Sequence, residues 1–248
     1  MNLVGAFGNA LPAAIGLPLR ARMGPRLEAE LRLIPRFARP GSVVVDVGAN
    51  RGVYTYLMSR AVGASGRVIA FEPQADLARY VESGMARSGN VAVRRVALGD
   101  HLGTAQLTIP SRDGRPEPGW ATLRDGVGPG LTTSVELTTL QSELAGLDVS
   151  FVKIDVEGFE LPVIEGARPL LTQPRPVFQV EIEYRWSGPS AAKTLQVFAD
   201  NGYSAWGLNI AQGNELQRLD WERFEPAESM NDIIPGQRTY NFVFTPQD

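Results

Sequence analysis

The sequence predicts a doubly wound α/β fold, because short apolar strands alternate with segments of helical periodicity. Residues 43–45 are three consecutive valines between a Pro-Gly pair and a glycine-containing turn, which is typical of a buried parallel strand. After the turn, apolar side chains recur at helical spacing: Tyr54, Leu57, Met58 and Ala61. A second strand over residues 68–71 and a helix over 76–86 repeat the arrangement.

The first turn contains Gly48 and Gly52, separated by Ala49, Asn50 and Arg51. Glycine allows a sharp turn and a close approach to a ligand, and the free N–H groups of the following helix point to the same place. The spacing differs from the G-x-G-x-x-G of dinucleotide sites.

An acid also precedes this turn. Asp46 lies two residues before Gly48, where a carboxylate would repel a pyrophosphate but suits a cofactor with an amino group and a sulfonium. Glu72 ends the second strand, and its carboxylate could accept hydrogen bonds from both hydroxyls of a ribose. S-adenosylmethionine fits both acids; a nicotinamide cofactor and an ordinary buried turn are the alternatives.

Composition limits the function classes. The chain has 248 residues, a formal net charge of −3 and a pI near 5.4, which fit one α/β domain with an extension and argue against a nucleic-acid partner. Cysteine is absent and His101 is the only histidine. Disulfides, thiolate chemistry and multi-histidine metal sites are therefore excluded.

Residues 1–40 are expected to form an N-terminal arm and a helix, the helix starting at Pro25 and ending near Phe37. The stretch 1–19 lacks the features of a signal peptide, and its prolines and glycines interrupt any membrane span. We expect a flexible arm or a helix packed on the domain, with an active-site cover or a homodimer contact as the functional alternative. Residues 41–248 would form one domain of a cytoplasmic protein without a transmembrane segment.

A third strand is predicted over residues 91–98, at whose carboxyl end ligands bind in such sheets. A purine ring could lie against Ala97 and Leu98, with Asp100 near its amino group; a plain turn at Gly99-Asp100 is equally consistent. We interpret His101 as a surface residue.

Residues 103–109 alternate as a strand, and 135–137 is its expected partner. Between them, residues 110–130 form a long Gly/Pro-rich stretch containing Trp120, which we interpret as a substrate-facing loop. Thr139 is expected to open a short helix through Leu144.

A second group of acids follows a buried strand over residues 151–154. Asp155 and Glu157 end this strand, and a strand over 176–183 delivers Glu181 and Glu183 to the same edge. Buried acids need a positive partner, which could be a sulfonium, a metal ion or Lys153; Lys153 and Asp155 share strand parity and therefore one face. Solvated turn acids are the alternative. Helices are expected over 161–170 and 191–201, and antiparallel closing strands over 203–208, 217–219 and 240–245.

The motifs of the chain resemble those of FkbM-type S-adenosylmethionine-dependent methyltransferases over about residues 40–245. They occur in the typical order: VVVDVGANRGVYT from residue 43, AFEP from 70, ALGD from 97, VKIDVEGFE from 152, VIEGA from 163, VEIE from 180 and NFVF from 241. The resemblance implies a class I methyltransferase (Rossmann-like) fold, with a seven-stranded sheet and helices on both faces, and O-methylation of a hydroxyl, often on a sugar or secondary metabolite. The chain departs from the family at Thr139-Leu140-Gln141, where Thr-Leu-Asp is usual.

The resemblance assigns roles to residues of this chain. The expected cofactor residues are Asp46, Gly48, Asn50 and Gly52 for the methionyl end, Glu72 for the ribose, and Ala97, Leu98 and Asp100 for the adenine. Further expected cofactor residues are Ala49, Tyr54, Pro73 and Asp155. Asp155 is the first candidate for the base that removes the hydroxyl proton, followed by Glu157, Glu181 and Lys153. Magnesium held by Asp155 and Glu181 is an alternative to a base.

Two other classes remain as alternatives. A nicotinamide-dependent oxidoreductase of the short-chain type would need Tyr-x-x-x-Lys, and neither Lys153 nor Lys193 has a tyrosine four residues earlier. A non-catalytic S-adenosylmethionine-binding scaffold would keep the fold without turnover. The expected partner of the enzyme is a small-molecule hydroxyl acceptor.

Overall fold

The computed structural model describes residues 12–27, 29–182, 187–209, 215–219 and 241–247. The chain divides into two compact units, Met1–Arg95 and Val96–Asp248. None of the described helices is both long and apolar enough to cross a membrane.

The first unit is a small parallel sheet with helices. Its elements are α1 (Ala13–Leu27), a 3-10 helix (Ala29–Leu33), α2 (Ile34–Phe37), β1 (Val43–Val47), α3 (Val53–Val62), β2 (Arg67–Phe71), α4 (Ala75–Met85) and β3 (Val91–Arg94). The strands run in the order β1-β2-β3, and both pairings are parallel. The predicted strands, the glycine turn and the helix after residue 75 are therefore confirmed.

The N-terminal helix differs from its prediction. The predicted helix starting at Pro25 is wrong, because α1 already begins at Ala13 and Pro25 lies within it. Ala13, Leu17 and Ala21 recur every four residues and are buried. This buried stripe packs α1 against α3 and α4, and it overrides the helix-breaking tendency of Pro18.

The second unit contains two sheets. Its elements are β4 (Ala97–Leu98), β5 (Gly103–Arg112), β6 (Arg115–Pro116), a 3-10 helix (Pro118–Trp120), β7 (Gly130–Thr138), α5 (Leu140–Glu143), β8 (Val149–Ile154), α6 (Glu160–Glu165), α7 (Arg168–Thr172), β9 (Val177–Glu181), α8 (Ser190–Asp200), β10 (Tyr203–Asn209), β11 (Glu215–Arg218) and β12 (Asn241–Pro246). In one sheet the order is β8-β9-β12-β10-β11, with β8 and β9 parallel and the three closing strands antiparallel, as predicted. The other sheet has the order β4-β7-β5-β6.

Two predictions about residues 91–130 are wrong. The single strand over 91–98 is two strands, because Arg94 and Arg95 are exposed and interrupt the apolar run; β3 pairs with β2, whereas β4 pairs with β7. The stretch 110–130 is not a structureless loop. The β5–β7 ladder continues from Gly103↔Leu137 to Pro110↔Gly130. The connection between these two strands contains β6 and a 3-10 helix.

The helices of the second unit follow their predictions with one exception. The Thr139 side chain caps α5 by accepting a hydrogen bond from the Ser142 backbone N–H at 3.1 Å, as expected for a helix opened by threonine. The helix predicted over 161–170 is two helices, α6 and α7, separated at Gly166 and Ala167. Behind the sheet, Phe198 stacks on Phe244 with ring centroids 3.8 Å apart and forms part of the aromatic core.

Candidate active site

The turn after β1 is held by the end of β2. The backbone N–H groups of Gly48 and Ala49 both donate to the carbonyl oxygen of Phe71, each at 3.0 Å. Gly48, Asn50 and Gly52 have φ angles of 74°, 50° and 76°, in the left-handed region that glycine adopts readily. The backbone conformation therefore explains both glycines of the predicted cofactor turn.

Gly52 is also required by space. A Cβ atom on Gly52 would lie 3.0 Å from Leu17 Cδ1 and 3.0 Å from Val81 Cγ2. Leu17 is fully buried, so α1 packs directly on the turn. Leu17 was not predicted to take part, because its contact with the turn depends on tertiary packing.

Asp46 is fully buried next to the turn. Its Oδ2 accepts a hydrogen bond of 2.6 Å from the hydroxyl of Thr55 on α3. The bond connects the end of β1 with the helix after the turn. Tyr54, the neighbouring candidate on α3, is also buried. Thr55 had no predicted role, although it closes the VVVDVGANRGVYT motif.

Glu72 joins the second strand to the glycine turn. It is only 3% exposed; Oε2 accepts the backbone N–H of Asn50 at 2.7 Å, and Oε1 accepts that of Gln74 at 2.9 Å. Pro73 between them is partly buried. The structure thus joins the candidates Asn50 and Glu72 through this carboxylate, and it adds Gln74 to them.

The candidate adenine residues lie in the second unit. Ala97 and Leu98 form β4 and are buried. Asp100 is exposed, and its Oδ1 lies 2.7 Å from Nδ1 of His101, which is exposed as predicted. Only Ala97 and Leu98 therefore offer an enclosed apolar surface.

The turn after β4 is packed against the turn after α6. A Cβ atom on Gly166 would lie 1.9 Å from the carbonyl oxygen of Gly99. The carbonyl oxygen of Gly166 accepts the backbone N–H of Gln141 at 3.1 Å, and the N–H of Gly99 donates to Thr138 at 2.9 Å. Gly166, the glycine of the VIEGA motif, is thus required by the neighbouring backbone.

Lys153 and Asp155 form an ion pair at the end of β8, with 3.3 Å between Nζ and Oδ2. The Lys153 side chain is 4% exposed and that of Asp155 is 31% exposed. The predicted shared face is confirmed. Ile154 pairs with Val180 in the parallel β8–β9 register, so Asp155 and Glu181 follow at neighbouring strand ends. Glu183 lies outside the described residues.

Glu157, two residues after Asp155, has an unusual backbone. Glu157 has a φ angle of 52°, an uncommon conformation for a non-glycine residue that is often associated with functional sites. Its carbonyl oxygen accepts a hydrogen bond of 2.8 Å from the hydroxyl of Thr122, which also accepts the N–H of Arg124 at 3.2 Å. Thr122 is buried and bridges to Thr108 on β5. The segment between β5 and β7, residues 113–129, is therefore hydrogen-bonded to the turn that carries the candidate acids.

Glu160 is a buried acid that sequence analysis did not assign. Its Oε1 accepts the backbone N–H of Gly158 at 2.8 Å, and its Oε2 accepts the hydroxyl of Ser187 at 2.9 Å. Burial raises the pKa of Glu160 from 4.5 to about 7; its hydrogen bonds lower the pKa and the charge of Asp155 raises it. The signal in the sequence was its place as the last residue of the VKIDVEGFE motif.

The described residues contain no group of three or more His, Asp or Glu side chains arranged to hold a metal ion. The magnesium alternative at Asp155 and Glu181 thus has no support in this part of the chain.

The chain matches the model of the Methyltransferase FkbM domain over residues 46–205, which is more than half of its length. It belongs to the FkbM methyltransferase family. The match begins at Asp46 and includes both groups of candidate acids. The predicted family and methyltransferase class are therefore confirmed.

Solved structures show the same fold. The FkbM methyltransferase from Methylobacillus flagellatus is 14% identical, with a TM-score of 0.51 over 97% of this chain and 57% of that chain. An O-methyltransferase from Bacillus cereus in complex with SAH is 13% identical, with a TM-score of 0.50 over 97% of this chain and 87% of that chain. These similarities confirm the class I methyltransferase fold for this FkbM chain.

A shorter similarity concerns a protein-L-isoaspartate O-methyltransferase from Aeropyrum pernix. It is 37% identical over 62 residues, which cover 25% of this chain and 24% of that protein. The chain therefore spans about a quarter of this relative and less than two thirds of the Methylobacillus protein.

Proposed function

We propose that this FkbM protein is an S-adenosylmethionine-dependent O-methyltransferase acting on a hydroxyl of a small molecule such as a sugar, a glycoside or a secondary metabolite. The family match over residues 46–205 carries the proposal, because it includes the glycine turn and both groups of acids. The SAH in the Bacillus cereus structure supports a cofactor of the same class.

The first unit fits the cofactor. Its glycine turn has a backbone that no bulky side chain would permit, and buried acids lie at both strand ends. Glu72 would hold the ribose hydroxyls; a carboxylate has about four acceptor positions, so its bonds to Asn50 and Gln74 are compatible with this role. Asp46 and the turn from Gly48 to Gly52 would hold the methionyl end.

In the second unit, Ala97 and Leu98 would contact the adenine ring, since they are the buried apolar residues at the end of β4. Asp100 is the proposed partner of the adenine amino group. Its exposure leaves the carboxylate accessible to a ligand.

Bound S-adenosylmethionine supplies a methyl group activated by a sulfonium. The chain would hold the acceptor oxygen in line with this methyl group, which provides a large part of the rate enhancement. Asp155 would take the hydroxyl proton, since it ends a buried strand, is partly exposed and is oriented by Lys153 at 3.3 Å. Glu157 and Glu181 are the next candidates for the base, followed by Lys153.

The test begins with calorimetric titration of the purified protein with S-adenosylmethionine and with NAD. Binding of the first alone is expected, because the comparisons give the nicotinamide alternative no support. Transfer of a labelled methyl group to a panel of sugar and polyketide hydroxyls would then be measured, and NMR would identify the methylated atom. Cofactor binding without transfer to any acceptor, or methylation at nitrogen or carbon, would contradict the proposal.

A further inference from the structure

Helix α1 has two apolar faces, of which one is uncovered. Ala13, Leu17 and Ala21 are buried against the first unit. Ile15, Leu19 and Met23, which also recur every four residues, are 58%, 44% and 39% exposed. At about 100° per residue, these three side chains lie on the side of the helix away from Leu17.

This exposed stripe accounts for most of the large exposed apolar side chains in the described part of the chain. Five such residues occur there; besides the three on α1 they are Leu102 and Leu131, which are separate in sequence and lie in the other unit. Scattered apolar residues are normal on a protein surface, whereas several on one helix face indicate a contact.

The charge of the segment identifies the kind of partner. Between Met1 and Leu27 the sequence has three charged residues, Arg20, Arg22 and Arg26, and no acid, although the whole chain has a net charge of −3. Arg22 is exposed and, at helical spacing, lies beside Ile15 and Leu19 on the uncovered face. Arginines beside an apolar stripe are typical of helices that lie on anionic membranes.

A second copy of the chain fits this face less well. Ile15, Leu19 and Met23 together expose far less than the about 800 Å² per partner of a typical stable interface. Adsorption to a bilayer has no such minimum area, because apolar insertion and attraction to anionic headgroups add together.

We propose that α1 docks this protein on an anionic lipid surface, with Ile15, Leu19 and Met23 inserted among the acyl chains and Arg22 at the headgroups. The proposal concerns attachment to the surface of a bilayer and is independent of methyl transfer.

Flotation of the full chain with vesicles tests the proposal. Vesicles of equal parts phosphatidylglycerol and phosphatidylcholine are compared with vesicles of phosphatidylcholine alone, at low and high salt. The protein should float with the anionic vesicles, and less so at high salt, because salt screens the arginine–headgroup attraction. Two variants should each bind the anionic vesicles at least about tenfold more weakly than the wild type. They are the triple variant Ile15→Ser, Leu19→Ser, Met23→Ser and the single variant Arg22→Glu.

The control variants change exposed residues outside α1. They are the double variant Leu102→Ser, Leu131→Ser and the single variant Arg218→Glu. They should bind vesicles like the wild type, and unchanged thermal unfolding would show that all variants are folded. Absence of wild-type binding, or an equal loss in the controls, would overturn the proposal. A wild-type dimer in light scattering that is lost in the triple variant, without any vesicle binding, would overturn it in favour of a second copy.

Discussion

The Glu72 carboxylate and the backbone N–H of Asn50 are joined by a 2.7 Å hydrogen bond that spans 22 residues of sequence. The acid proposed to hold the ribose therefore also holds the glycine turn. The structural contact and the proposed ligand contact thus involve the same side chain.

Replacement of Glu72 by Ala should weaken S-adenosylmethionine binding at least tenfold, because each lost hydrogen bond to the charged carboxylate is worth about 1.5–3 kcal/mol. Calorimetry measures the affinity. Glu82→Ala is the matched control, since Glu82 is a more exposed acid on α4 paired with Arg95. A folded Glu72→Ala variant with wild-type affinity would rule out the ribose role.

Replacement of Asp155 by Asn should lower the turnover number about 100-fold or more while changing cofactor affinity much less, because the amide keeps the volume but cannot take the proton. The measurement requires an acceptor identified by the methyl-transfer screen. Asp148→Asn, at an exposed acid just before β8, should keep normal turnover. Near-wild-type turnover of the Asp155 variant would refute its role as base, and loss of activity in EDTA with recovery in magnesium would point to a metal instead.

Glu160 should make stability depend on pH. Its pKa is about 7 in the folded protein against 4.5, so the folded state binds the proton more tightly than the unfolded state. The contribution of Glu160 to stability is therefore fully present below pH 4.5 and is lost as the pH rises through about 7, with an order of magnitude of about 3 kcal/mol.

Denaturant unfolding at pH 5 and pH 8 measures this difference. Glu160→Gln should reduce it, whereas Glu215→Gln, which changes an exposed acid on β11, should leave it unchanged. The same pH dependence in wild type and Glu160→Gln would show that other groups are responsible.

Thr122→Val should destabilise the protein by about 1–3 kcal/mol, because the buried carbonyl contact of Glu157 loses its hydroxyl donor. If the segment between β5 and β7 positions Asp155 and Glu157, the turnover number should fall as well. Thr122→Ser keeps the hydroxyl and should retain more of both. A larger loss in Thr122→Ser than in Thr122→Val would assign the role to the methyl group instead.

Gly52→Ala and Gly89→Ala form a matched pair. Gly52 and Gly89 have φ angles of 76° and 72°, so each substitution should cost about 1–2 kcal/mol in backbone strain. A Cβ at Gly89 meets nothing within 4 Å, whereas one at Gly52 lies 3.0 Å from Leu17 and Val81, so Gly52→Ala should cost more in thermal unfolding. Leu17→Ala removes a fully buried side chain and is itself destabilising, but Gly52→Ala should cost less in that background than in the wild type. Equal costs at the two glycines would contradict the crowding.

The sequence was sufficient where local pattern decides the structure. The valines before Gly48 predicted β1, and strand parity placed Lys153 and Asp155 on one face. Contacts between distant segments could not be predicted in this way. The Thr122–Glu157 bond lies in a stretch whose glycines and prolines suggested a loop, and the interruption of the third strand depends on which partner each half pairs with.

The contact between Gly99 and Gly166 has a consequence for protein engineering. The carbonyl oxygen of Gly99 occupies the place of a Gly166 side chain. The two turns are therefore complementary in shape, although 67 residues separate them in the sequence. A segment transplanted from another methyltransferase to change acceptor preference would have to bring both turns together. Exchange of one alone would place a side chain or a displaced carbonyl in a space that is already filled.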